Sequence, residues 1–137
     1  MTILVDTGPL VADIDRRDTE HERVRRFLEA VTEPLIVPIT VVTEISYMLY
    51  SRIGPEVEAG FIAGLARGDI DVEPVGTVDL GRASQLMEQY LDFPLGFVDA
   101  TVVAVAERLN IAKVLTLDRR HFTAIRPRHV AAFELLP

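Results

Sequence analysis

The stretch PLGFVDATVVAVAERL, Pro94 to Leu109, is followed after three residues by the short apolar run KVLTL, Lys113 to Leu117. The first is long enough for a helix and apolar almost all the way round; the second has the length and composition of a buried strand. At about 100° per residue, Thr101 and Arg108 fall within about 20° of each other and mark the expected solvent-facing stripe. Asp99 lies on the opposite side, with Val102, Val103 and Ala106 at i+3, i+4 and i+7, a stripe that should face a core. An ionised carboxylate withdrawn from water costs several kcal/mol unless a cation or hydrogen-bond donors meet it. Asp99 therefore calls for a partner.

The same alternation runs through the rest of the chain. Thr2 to Val5 reads as a strand, followed by Asp6-Thr7-Gly8-Pro9 and a short helix to about Asp15, with Pro9 suited to a first turn. Thr19 to Glu22 has capping-box spacing ahead of a helix carrying Val24, Phe27, Leu28 and Val31 on one face. Pro34 to Val37 is a second strand, Thr40 caps a helix to about Arg52, and Gly54-Pro55 opens another that ends near Gly68. Ile70 to Val75 is a third strand, Thr77 to Leu91 a helix, and a last strand falls around Val130 to Leu135. Strands alternating with helices predict an α/β fold, a mostly parallel sheet of four to five strands with helices on both faces. No repeat, linker or low-complexity tract divides residues 1–137, which are expected to form a single domain.

No cysteine is present, which excludes disulfides and thiolate metal sites. Neither a leader peptide nor an apolar run near the ~20 residues of a membrane span is seen, so a soluble, cytoplasmic protein with no membrane partner is expected. Fourteen basic against 21 acidic residues give a formal net charge of −7, unsuited to coating nucleic acid nonspecifically. Between Lys113 and His129, however, five basic side chains (Lys113, Arg119, Arg120, Arg126, Arg128) stand against the single acid Asp118. These read equally as solvated arginines or as a small rim able to hold a polyanion.

In open parallel sheets ligands gather beyond the carboxyl ends of the strands. Asp6 follows the first strand in ILVDTG, and Asp118 follows the fourth in VLTLDRRHF. Glu44, three residues after Val41 and four before Met48, borders the apolar face of its helix, and Asp99 is in the first turn of its own. Each has a structural explanation: Asp6 as a helix cap, Glu44 as a favourable charge near a helix N-terminus, Asp118 as a turn former. Four converging carboxylates would repel one another and raise their pKa values unless a cation joined them. With one lysine in the chain, a hard, oxygen-seeking dication such as Mg²⁺ or Mn²⁺ is the better candidate. His21, His121 and His129 include no i, i+4 pair, which gives zinc little support. Such a metal beside a basic rim suits phosphodiester hydrolysis by a metal-activated water. No Ser-His-Asp arrangement or GxxxxGK[ST] loop competes.

Taken together, ILVDTGPLVA, VVTEISYML, PLGFVDATVVAVAERL and VLTLDRRHF resemble the PIN-domain family, and within it the VapC-type toxins of toxin-antitoxin systems. The resemblance covers essentially the whole chain and implies a three-layer α/β/α sandwich, a Mg²⁺- or Mn²⁺-dependent endoribonuclease, a homodimer and a cognate antitoxin protein. It carries the family's acidic quartet onto Asp6, Glu44, Asp99 and Asp118 as the catalytic residues. Asp6 and Asp99 are then expected to ligate the metal directly, and Glu44 and Asp118 directly or through water. Thr7 or Thr116 would support them by hydroxyl hydrogen bonds, and Arg119, Arg120 and Arg126 would hold phosphates of the RNA substrate. Gly8 stands where many relatives carry Ser or Asn.

Val41 to Ile53 is apolar on more than one face, with Tyr47, Met48, Leu49, Tyr50 and Ile53 beyond the core stripe; this surplus is either an interface or the seat of the next helix. Two other classes remain. A haloacid-dehalogenase-like phosphatase would need an aspartate where Gly8 stands, and a receiver domain an acid pair and a lysine not evident here. A noncatalytic RNA-binding or scaffold PIN domain would typically have lost acids that this chain retains.

Overall fold

The structure, a computed structural model, describes residues 1–137. Its elements run β1 (Ile3–Val5), α1 (Thr7–Ile14), α2 (His21–Ala30), β2 (Leu35–Pro38), α3 (Ile39–Arg52), α4 (Pro55–Ala66), β3 (Asp71–Glu73), α5 (Thr77–Gln89), α6 (Phe97–Leu109), β4 (Lys113–Leu115), α7 (Arg119–Ala124) and β5 (Glu134–Leu136). The five strands form one sheet in the order β3-β2-β1-β4-β5, every pairing parallel. The chain steps outward from β1 through β2 to β3, then crosses back to β4 on the other side of β1. With right-handed crossovers, that reversal sends the two groups of helices to opposite faces and builds a three-layer α/β/α sandwich.

The centre of the sheet is its driest part. Ile3, Leu4 and Val5 of β1 and Val114 and Leu115 of β4 are fully buried, as parallel strands covered on both faces must be. The opening helix, α6, is buried along its whole middle, from Ala100 to Ala106. Of the solvent-facing stripe expected at Thr101 and Arg108, only Arg108 is exposed. Thr101 is 0% exposed and donates to the Val98 carbonyl at 2.7 Å. With its one proton so used, it accepts from the Thr40 hydroxyl at 2.7 Å, so a small polar network replaces water. Arg108 turns to Asp79 and Glu73 instead. Asn110, in the left-handed conformation (φ 55°, ψ 47°) that Asn tolerates, ends α6 and feeds the chain into β4.

Two expected caps fail for identifiable reasons. Near α2 the Asp18 carboxylate, rather than Thr19, accepts from the Glu20 amide at 2.9 Å, and the helix begins at His21 with no side-chain cap. Helix α3 begins at Ile39, one residue before Thr40, whose hydroxyl is committed to Thr101. The six-residue α7 was not expected, and β5 pairs at Glu134 to Leu136, later than the Val130 to Leu135 expected of it. No helix is long and apolar enough to cross a membrane.

Helix α4 covers only part of the apolar surplus on α3. Leu49 is buried and Met48 packs at the edge of the core, while the Ser46 hydroxyl donates to Glu58 of α4. Tyr47 and Tyr50 remain 73% and 57% exposed, with Ile53 and Ile62 beside them also exposed.

Candidate metal centre

The strand order reverses between β1 and β4, and these neighbours are aligned with Val5 beside Leu115. At this switch point the strands diverge to opposite connections and leave a crevice. Asp6 is the residue after β1, its amide donating to the Leu115 carbonyl at 2.9 Å. A cavity of about 490 Å³ opens there, lined by Asp6, Thr7, Gly8, Glu44, Met48, Asp99, Leu117 and Asp118. All four acids singled out in the sequence border it. Glu44 reaches it from the solvent-exposed flank of α3, Asp99 from the first turn of α6, and Asp118 from the start of α7.

Asp6 is 5% exposed. Its Oδ2 accepts from the Thr116 hydroxyl at 2.8 Å, and the same hydroxyl oxygen accepts from the Asp118 amide at 2.9 Å. Thr116 thus ties the ends of both strands together. Thr7, the other candidate for this support, bonds neither acid: its buried hydroxyl has no partner. A Cβ at Gly8 would meet Leu117 at 3.4 Å, an ordinary contact, so the backbone there would accept a side chain. Asp118 accepts from the His121 amide at 3.3 Å, so its capping role and its place on the cavity coexist.

Burial pushes the Asp6 carboxyl above the usual carboxylate range, and the charges of Glu44 and Asp118 add to it against the pull of the Thr7 amide and the Thr116 hydroxyl. Asp99 is pushed up to about 7, by burial first and by the charge of Asp6 next; His121 draws it down, and Asp118 and Glu44 raise it further. None of the four acids is ion-paired with an arginine or with the lysine; the basic group among them is His121. Carboxylates gathered this way hold protons they would otherwise have lost, and a bound dication would relieve the same repulsion. The oxygen-rich donor set and the unpartnered Thr7 hydroxyl beside it fit a hard metal ion.

His121 escaped the sequence reading, which looked for histidines paired with one another. Its Nδ1 contacts Asp118 Oδ2 and lies 3.9 Å from Asp99 Oδ2. The signal was the acid three residues ahead of it, one helical turn away. The basic stretch from Lys113 to His129 also divides. Lys113 begins β4, at the opposite end of the sheet from the cavity, and is paired with Glu33 at 2.8 Å. Arg128 bonds Gln85 and, through its amide, Glu107. Arg119 and Arg120, beside Asp118, and Arg126, whose amide bonds the Tyr90 hydroxyl, keep exposed side chains.

The PIN-domain family model matches residues 3–126, and the chain belongs to the PIN-domain family. Within it the chain is of the VapC type: it is 31% identical to ribonuclease VapC26 of Mycobacterium tuberculosis over 98% of this chain and all of that protein. The fold superposes on VapC20 of M. tuberculosis, described as a sarcin-ricin loop cleaving toxin, with a TM-score of 0.78 at 23% identity, covering 82% of this chain and 86% of that one. It also superposes on DNA-bound VapBC from Salmonella typhimurium, with a TM-score of 0.73 at 19% identity over 98% of each chain.

Proposed function

We propose that the protein is a Mg²⁺- or Mn²⁺-dependent endoribonuclease and the toxin of a toxin-antitoxin pair. The observation that carries this reading is the set of four carboxylates, without an arginine or lysine partner, around one crevice at the switch point of the sheet. Kinship to a protein named as a ribonuclease supplies the reaction class. Asp6 and Asp99 would hold the ion directly, and Glu44 and Asp118 directly or through water. When bound, the ion supplies Lewis acidity that activates a water and offsets phosphate charge.

The chain's own part is placement. Thr116 donates to the Asp6 carboxylate, a hydrogen bond of the kind that orients metal ligands. Glu44 and Asp118, where they do not touch the ion, would orient its waters from the cavity wall. Arg119, Arg120 and Arg126 hold RNA phosphates at the rim, positioning the strand without reading its bases. A second copy of the chain and a cognate antitoxin are the expected protein partners, and the exposed Tyr47, Tyr50, Ile53 and Ile62 offer a surface for one of them.

The test is cleavage of RNA by purified antitoxin-free protein, with Mg²⁺ or Mn²⁺, with EDTA, and with Asp6→Asn. EDTA should abolish cleavage, and Asp6→Asn should lower it by more than about 100-fold, beyond the loss typical of an outer-shell partner. Cleavage that survives EDTA or the substitution would refute the mechanism, and no cleavage of any RNA would favour a noncatalytic scaffold.

A further inference from the structure

We propose that His121 contributes its Nδ1 as a nitrogen donor beside Asp99 and Asp118, making the pocket a mixed oxygen and nitrogen site that favours a transition-metal dication over Mg²⁺. The proposal rests on the metal-dependent reading above and adds a ligand to it.

The geometry has three parts. Ligand atoms of Asp99, Asp118 and His121 all lie within 4.8 Å of one another, a spread that one ion can span. These residues come from two separate helices, α6 and α7, so local capping explains the contact of His121 with Asp118 but not its approach to Asp99. The imidazole is also held in place. Phe93 packs against it edge to face, with ring centroids 5.1 Å apart, and the Arg120 guanidinium lies 5.8 Å from the centroid of the Phe93 ring. A ring braced on one side and facing two carboxylates on the other is prepared for a cation between them. Beside it the buried Thr7 hydroxyl lines the same cavity without a partner.

Donor chemistry then sets the preference. Carboxylate and water suit Mg²⁺ and Mn²⁺ alike, whereas an imidazole nitrogen adds affinity for Mn²⁺, Co²⁺ and the later ions and little for Mg²⁺. The other two histidines are committed elsewhere. His21 Nδ1 is 2.7 Å from the Ala12 carbonyl and His129 Nε2 is 2.7 Å from the Ile111 carbonyl.

The experiment uses full-length, tag-free protein without RNA, loaded with Mn²⁺ and read by electron spin-echo envelope modulation. Wild type should show coupling to one histidine nitrogen, and growth on ¹⁵N-histidine should change its frequencies, a comparison that needs no variant. His121→Gln should bind Mn²⁺ and lose that coupling. Its Co²⁺ affinity should fall by about tenfold or more while Mg²⁺ affinity changes by less than about twofold. Bound Mn²⁺ with no nitrogen coupling in wild type would overturn the role of His121 and leave the acidic metal site standing. Failure of wild type to bind any dication would overturn both.

Discussion

The carboxylates in two regions of the molecule are treated in opposite ways. Away from the cavity, acids drawn out of water are met by arginines. Asp79, with its side chain 4% exposed, is gripped by Arg108, which also reaches Glu73 at 2.9 Å. Glu107 binds Arg82 through two nearly parallel contacts of 2.6 and 3.0 Å, the bidentate form that best offsets desolvation. Around the crevice between β1 and β4, Asp6 is as deeply buried and Asp99 and Asp118 are partly so, yet none of them has an arginine or lysine partner. The chain has thirteen arginines and places none against these four acids. The pairing by Arg108 and Arg82 shows how this fold satisfies a buried acid with a cation of its own. Its omission at the crevice is the feature on which the proposed dication site rests.

Three measurements would break or sharpen this contrast. The largest effect should follow Arg108→Ala, which strands Asp79 without its cation. A loss of about 3 kcal/mol in urea unfolding is expected, as for broken buried pairs, with cleavage by the folded fraction unchanged. A loss below about 0.5 kcal/mol would mean that the Arg108–Asp79 pairing is a surface effect. Next, Thr116→Val removes the hydroxyl joining Asp6 to the Asp118 amide at nearly constant volume. It should weaken dication binding about tenfold by calorimetry; unaltered affinity would show that the crevice acids need no internal support.

The smallest effect concerns the metal-free protein. The folded-state pKa of Asp99, about 7, lies above its ordinary value of 3.8. The folded state therefore binds the proton more tightly, and this group's contribution is greatest at low pH and is lost as pH rises through about 7. Asp6 acts in the same sense. Glu107 is lowered: burial raises it, but its bonds to Arg82 and to the Arg128 amide prevail, so its contribution is lost only as pH falls below the ordinary glutamate range. In EDTA, wild type should lose stability as pH rises from about 4 to about 7 and level off above that. Asp99→Asn should flatten that loss and be more stable at pH 8 by about 1 kcal/mol, the scale of one pKa unit. A large destabilisation by Asp99→Asn would make Asp99 a structural cap.

Much of this contrast was legible in the sequence, because strand positions and acids are written in local pattern. Apolar runs such as ILV and KVLTL marked the central strands, and the acid just after each marked the rim. Competition was not legible. Thr19 and Thr40 had the right spacing to cap, but Asp18 took one amide and Thr101 claimed the other hydroxyl. Thr101 looked solvent-facing because angular position ranks the faces of a helix without saying whether any is wet, and α6 is enclosed along its middle. His121 was hidden because its second carboxylate, Asp99, is 22 residues away in sequence and is brought to it by the packing of α6 beside α7.

The pairing of β1 with β4 has one more consequence. Asp6 and Asp118 hang from adjacent hydrogen-bonded strands held in register by Val5 and Leu115 and laced by Thr116. The strand-to-strand repeat of a sheet, about 4.8 Å, therefore acts as a ruler for the crevice. The segment 90–96 between α5 and α6, whose Phe93 packs against His121, is outside that ruler. Insertions or exchanges there can reshape what reaches the acids while the gauge between them stays fixed.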